Sequence, residues 1–170
     1  MKRETLKVIL KKMEEKNIPV NSANIQRIVF YLKEKGIPVN YKYEPYFYEP
    51  YSFELQYELD DMVFWGEIEK RDGVYLVNSL VNNNPYAFKI NRYLNEFTNA
   101  LNDFSPDTMD MFGILVYCIR AVAESERKKP TKENVLEEFV SWRGSKYRMQ
   151  TVASMLDKVS TLVPLEGRQE

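Results

Sequence analysis

The residue types that most often carry catalysis are sparse in this 170-residue chain. There is no histidine, which removes Ser-His-Asp and Cys-His nucleophile systems and every zinc site that needs an imidazole. Cys118 is the single cysteine. It lies among Leu115, Val116, Ile119 and Val122, the setting of a small buried hydrophobe, whereas a reactive thiolate needs a polar, electropositive and partly exposed place. The six glycines are dispersed and form no phosphate-binding loop. Carboxylates remain. Asp60-Asp61, and Asp107 with Asp110, have the spacing to share a metal ion. The plainer assignments are a solvated helix face for the first pair and interaction with a helix N-terminal dipole for the second. No catalytic residue, cofactor or metal is therefore expected, and a carboxylate-based enzyme stands only third among the functional readings.

The residues suited to binding are more distinctive. The net charge of −1 hides an asymmetry: residues 1–40 carry nine Lys/Arg against four Glu, and residues 41–72 carry three against nine Asp/Glu. The second segment also holds Tyr41, Tyr43, Tyr46, Tyr48 and Tyr51, and tyrosine is enriched at protein interfaces. On a helical wheel of residues 53–65, Leu55, Leu59, Met62 and Gly66 share one side. Phe53, Tyr57, Asp60 and Phe64 share roughly the opposite side, and Glu54, Glu58, Asp61 and Trp65 fill a strip between. A helix with two apolar faces needs two things to pack against: the C-terminal helices, or a partner.

From this pattern Tyr43, Tyr46, Tyr48, Tyr51, Glu54, Glu58, Asp61 and Trp65 are the expected partner-binding residues, serving a protein that presents basic groups. The positive N-terminal segment makes a homodimer one candidate; tyrosines lidding a local core are the structural alternative. Nucleic-acid binding is the runner-up function. Its expected reader, helix 53–65, carries four acids and no Lys or Arg, so phosphates would be repelled. Only weak backbone contact is expected, through Lys2, Arg3, Lys7, Lys11 and Lys12 or through Arg143, Lys146 and Arg148.

The elements that must position these residues follow from periodicity. Leu6, Ile9, Leu10 and Met13 mark a first amphipathic helix. Ser22 is the expected cap of a second, lined by Ile25, Ile28, Val29 and Leu32 and ended by Gly36 and Pro38. The aromatic stretch 41–48 is a short edge strand or extended segment, because Pro45 forbids a central strand. Ser52 caps the helix over 53–65. Residues 67–76 form a hairpin turning at Asp72-Gly73. Helix, helix, short strand, helix, hairpin is close to the winged-helix order.

Asn82-Asn83-Asn84-Pro85 is the expected hinge. Beyond it Ile90, Leu94, Phe97 and Leu101 form one stripe, and Ser105-Pro106 opens a helix that is apolar nearly all round from Met111 to Ala123. Thr131 caps another, with Val135, Leu136, Phe139 and Trp142. The last contains Val152, Met155, Leu156 and Val159.

The segment from Asn24 to Leu32, followed by Pro50-Tyr51-Ser52-Phe53-Glu54-Leu55, Leu59, Met62, Gly66 and Ile68, resembles the YwgA-like family of bacterial and archaeal proteins. That family lies within the wider Panacea (SocA-like) antitoxin superfamily. Its pattern sets a lysine-leucine-glutamine-lysine helix before a glycine-proline-tyrosine-serine helix start and a small wing. The later apolar helix, the Thr131-capped helix and Trp142-Arg143-Gly144 are similar too, so the likeness runs over roughly residues 5–160. Asn24-Ile25 stands in place of the opening lysine-leucine, and Glu49 in place of the glycine. The resemblance implies binding rather than catalysis: antitoxin-like neutralisation of a partner protein, or an adaptor role.

The expected fold is therefore mostly α with a small β-hairpin. A winged-helix-like module over 1–81 would pack on a helical module over 85–163 that shares its core, with a flexible tail at 164–170. A lone cysteine suits a reducing compartment. No signal peptide is expected after Met1–Thr5, and the apolar run 111–123 is too short for a membrane span. The expected localisation is cytoplasmic.

Overall fold

The computed structural model describes residues 2–46, 49–78, 83–126 and 130–165. These are mostly helical, as expected, with two small two-stranded sheets. In chain order the elements are α1 (Lys2–Glu15), α2 (Ser22–Glu34), β1 (Glu44–Tyr46), β2 (Glu49–Tyr51), α3 (Phe53–Phe64), β3 (Glu69–Arg71), β4 (Val74–Leu76), α4 (Ala87–Leu101), α5 (Pro106–Glu126), α6 (Lys132–Arg143) and α7 (Met149–Leu162).

One local expectation is corrected. The cap of α2 is Asn21, whose side chain accepts from the Asn24 N–H at 2.9 Å. Ser22 is the first helical residue, and its hydroxyl lies 3.3 Å from the Tyr75 hydroxyl instead. Both residues are good cap formers; the choice went to the one whose backbone bridges to Val74 in the wing. The stretch 41–48 holds the short strand β1, as expected, and β1 pairs with β2, which lies just beyond that stretch where no strand was expected. Pro45 sits in β1, in a two-stranded sheet where a missing N–H is tolerated. The remaining caps are as the sequence indicates. Ser52 and Thr131 accept from Leu55 and Asn134, and Ser105 accepts from Thr108, two residues into the helix that Pro106 begins.

Residues 1–44 and 51–99 form one compact unit, and residues 45–50 and 100–170 another. In the first unit, Leu6, Ile9, Leu10 and Met13 of α1 are buried with Ile25, Ile28, Val29 and Leu32 of α2 and Leu55, Leu59 and Met62 of α3. The wing is the antiparallel pair β3–β4, with Arg71 opposite Val74. Its turn residues Asp72 and Gly73 both have positive φ, +50° and +79°, the geometry whose twist suits a two-residue hairpin. The Tyr75 N–H donates to Val20 O at 2.9 Å, which ties the wing to the segment between α1 and α2.

The stripe Ile90, Leu94 and Phe97 of α4 is buried. Phe97 stands 6.1 Å from the Tyr31 ring, and the Tyr31 hydroxyl donates to Tyr93 O. The break expected at 82–85 thus falls within the sequence range of this unit; residue 82 itself is outside the described residues.

In the second unit, α5 packs against both α6 and α7. Phe112, Leu115, Val116 and Ile119 of α5 are buried together with Val135 and Phe139 of α6 and Val152, Leu156 and Val159 of α7. Most of the tail expected at 164–170 lies outside the described residues.

Candidate functional site

The placement of α3 begins with a glutamine. Gln26 is buried on α2, where its Nε2 donates to Ser52 O and its Oε1 accepts from the Ser52 N–H, both at 2.9 Å. One side-chain amide thereby satisfies the backbone of the buried cap residue in both directions. The Gln26 carbonyl accepts from the Tyr43 hydroxyl at 2.8 Å. With its first turn fastened, α3 turns Leu55, Leu59 and Met62 inward, each fully buried. It ends at Trp65, after which Gly66 takes φ +73°.

The 3.6-residue period then forces the second apolar face outward. Phe53 is 48 % exposed, Tyr57 74 %, Phe64 78 % and Trp65 68 %. Phe64 and Trp65 stand edge to face at 5.1 Å, and Phe53 meets Tyr51 in the same way at 5.0 Å. Asp60 lies on the same face between Tyr57 and Phe64, and it accepts from Gln56 at 3.0 Å. Single exposed hydrophobes are ordinary on a protein surface, but several aromatics exposed along one helix are a mark of interaction sites.

The acidic strip beside this face is already engaged inside its own unit. Arg3 of α1 donates to Asp61 at 2.7 Å, to Glu67 at 2.8 Å and to Glu58 at 3.4 Å. Lys7 reaches Glu67 at 3.8 Å and Glu4 at 3.1 Å. Hydrogen bonds to Glu58 and then Asp61 hold the Arg3 guanidinium in its charged form, above its ordinary range. Glu54 is exposed, with Lys2 at 4.0 Å.

The expected binding residues therefore separate. Trp65 and Glu54 join the exposed face, and Glu58 and Asp61 belong to the Arg3 network. Tyr43 is half-buried against Phe30, with ring centroids 4.9 Å apart. Tyr51 is half-buried, Tyr46 is exposed, and Tyr48 lies outside the described residues. Tyr41, in the same segment, is buried. Phe53, Tyr57, Asp60 and Phe64 complete the face. Their signal was present in the helical wheel as the second apolar side. Gln26 had no comparable signal, beyond being a polar residue beside the apolar positions 25, 28 and 29.

A second polar constellation lies within the other unit. Arg143, at the end of α6, grips Asp110 of α5 with two bonds, from Nε at 3.0 Å and from Nη2 at 2.8 Å. The Tyr147 hydroxyl donates to the same carboxylate at 2.6 Å, and Lys146 lies 3.6 Å away. Glu49 accepts from Arg143 at 3.4 Å. The Asp110 and Arg143 side chains are only 8 % and 9 % exposed. Burial alone would push the Asp110 carboxyl up. The hydrogen bonds from Arg143 and Tyr147 and the charges of Arg143 and Lys146 outweigh it, and its pKa lies below the ordinary value. Both Asp110 oxygens have donors, so the arrangement is a clasp that closes the α5–α6 corner.

Asp110 is thus committed to Arg143, and Asp107 lies 3.5 Å from the Tyr147 hydroxyl. Among the described residues no three Cys, Asp or Glu side chains converge as a metal-holding group, and no helix is long and apolar enough to cross a membrane. Cys118 is fully buried, and burial pushes its thiol well above the usual range.

No protein-family model and no curated protein matches the chain.

Proposed function

We propose that the chain acts by recognising a protein partner, in an antitoxin-like or adaptor role, through the exposed face of α3. The observation that carries this reading is the run Phe53, Tyr57, Phe64 and Trp65, four aromatic side chains on a helix fixed at its start by Gln26 and at its inner face by a buried core. Aromatic side chains give large contact area for few rotatable bonds, and they dominate interface energetics. A preformed helix presents them with a reduced ordering cost. The likeness to the YwgA-like family, whose superfamily is associated with binding, supports the same reading.

The face suits a partner that is apolar and offers bases or hydrogen-bond donors to its acids. Glu58 and Asp61 are occupied by Arg3, so the acids that face a partner are Asp60 within the stripe and Glu54 beside it. Phosphate backbones are disfavoured at this helix, which has no Lys or Arg and occupies the position before the wing where a DNA reader would sit.

The test is a photo-crosslinking residue placed at Tyr57 in the producing cell, with Val140 of α6 as control and nuclease treatment before analysis. A discrete protein adduct from position 57 and none from position 140 is the expected result. Adducts to nucleic acid, or equal labelling at both positions, would reject protein recognition by α3.

A further inference from the structure

The exposed face of α3 has a sequence that complements itself. In order along the helix it reads Phe53, Tyr57, Asp60, Phe64, spaced four, three and four residues apart. Setting a second copy antiparallel places Phe53 against Phe64 and Tyr57 against Asp60, twice each. Every contact is then favourable: aromatic on aromatic at both ends, and a phenol that donates facing a carboxylate that accepts in the middle. A parallel arrangement would instead set Asp60 against Asp60. We propose that this face pairs antiparallel with the same face of a second copy of the chain. The proposal rests on α3 being an interaction surface and names its occupant.

Electrostatics permit the pairing. The two Asp60 carboxylates would be offset by about 4.5 Å along the axis on helices roughly 10 Å apart. The side chains reach into the seam, so the two carboxylates lie closer than the axes, and the Tyr57 hydroxyl that each one faces offsets their repulsion. Within the stripe the charge is Asp60, and beside it Glu54 has Lys2 at 4.0 Å; the antiparallel seam needs no ion pair across it, so added salt should leave the dimer unchanged or tighten it. A dimer made by α1 of one copy reaching the acidic strip of another would do the reverse. It would also have to displace the Arg3 contacts at 2.7 and 2.8 Å.

The area points to a reversible complex. From the exposures of Phe53, Tyr57, Phe64 and Trp65, the stripe offers roughly 500 Å² per copy. A standard stable interface uses about 800 Å² per partner. A dimer that forms at micromolar concentrations and dissociates on dilution fits that size. Such a dimer would also keep the aromatic face from water until another protein competes for it.

The test uses two full-length variants, Phe53→Glu and Phe64→Lys. Each places its new charge at the favourable end of the helix dipole, so α3 should still form. Sedimentation velocity should show the unmodified chain dimerising with rising concentration, at least as strongly in high salt. Each variant alone should be monomeric, because it sets a charge against phenylalanine twice. Mixing the two should restore a heterodimer, since residue 53 of one then meets residue 64 of the other as Glu against Lys. A monomeric unmodified chain, a dimer that weakens with salt and survives Phe53→Glu, or a mixture that stays monomeric would each overturn the pairing. A Tyr57 crosslink to a different protein, with the purified chain monomeric, would overturn self-pairing while leaving partner recognition standing.

Discussion

Helices α3 and α5 begin from the same excess and end differently. Both are apolar on more than one side, and neither can be satisfied by a single neighbour. In α5 the surplus is covered within its unit: Phe112, Leu115, Val116, Cys118 and Ile119 are all buried, with α6 and α7 packed against it. In α3 the inner face is covered and the outer face is not, so Tyr57, Phe64 and Trp65 remain mostly exposed. The contrast shows that apolar content by itself marks only a demand for burial. Function is indicated by the demand that the helix's own unit leaves unmet. The acids of the two helices separate in the same way. Asp110 on α5 and Asp61 on α3 are each taken by an arginine far along the chain, while Asp60 faces outward among aromatics.

The largest expected effect sharpens the α5 side. Asp110→Asn removes the charge that Arg143 was buried to meet, and breaking a buried ion pair costs about 3–5 kcal/mol. Chemical denaturation of the variant should show that loss. Asp110 titrates below its ordinary 3.8 in the folded chain. Its contribution is therefore complete above that value and disappears as the pH falls through the folded value. The unmodified chain should lose stability on acidification below about pH 4, and the Asn variant should show a flatter profile there.

Next in size is Gln26→Leu. It strips the buried Ser52 N–H of its partner and leaves the Ser52 carbonyl only the Gln56 N–H at 3.2 Å, at roughly 1–3 kcal/mol. Because those bonds fix the start of α3, hydrogen exchange at Leu55 and Gln56 should accelerate more than exchange in α5. Equal acceleration in both helices would remove Gln26 from its positioning role.

Much of this was legible in the sequence. The helices, the Ser52 and Thr131 caps and the Asp72-Gly73 wing turn are local consequences of periodicity and side-chain chemistry. The two faces of α3 were legible as well, though not which one the chain itself would cover. What stayed hidden depends on residues distant in sequence. Nothing near Glu58 or Asp61 announces that Arg3 will reach them, and the sequence within α3 made them look available to a partner. Asn21 and Ser22 are equally good caps in isolation; the bridge from Asn21 to Val74 decided between them. The mutual bonding of Gln26 with Ser52 spans 26 residues and leaves no pattern in either segment.

A third prediction compares the helices by one chemistry. Cys118 should react with a small thiol reagent at least roughly a hundredfold more slowly in the native chain than in denaturant, because reagent access requires a costly opening. A cysteine placed by Tyr57→Cys should react at nearly the same rate in both conditions. Equal native rates at positions 57 and 118 would erase the distinction between the two helices.

The smallest expected effect on stability comes from the stripe. Tyr57→Ala and Phe64→Ala remove side chains that are mostly in water, so the melting temperature should correspond to a change within about 0.5 kcal/mol. A loss several times larger would mean that these rings support the fold.

The most direct test of α3 as a recognition surface is hydroxyl-radical footprinting of Tyr57, Phe64 and Trp65, read in the dilute purified chain and again inside the producing cell, with buried Tyr75 as the internal reference. Strong labelling of all three in dilute solution and marked protection in the cell, with Tyr75 weakly labelled in both, is the predicted result. Equal labelling of the three residues in the two settings would mean that nothing covers the face, and would contradict the account.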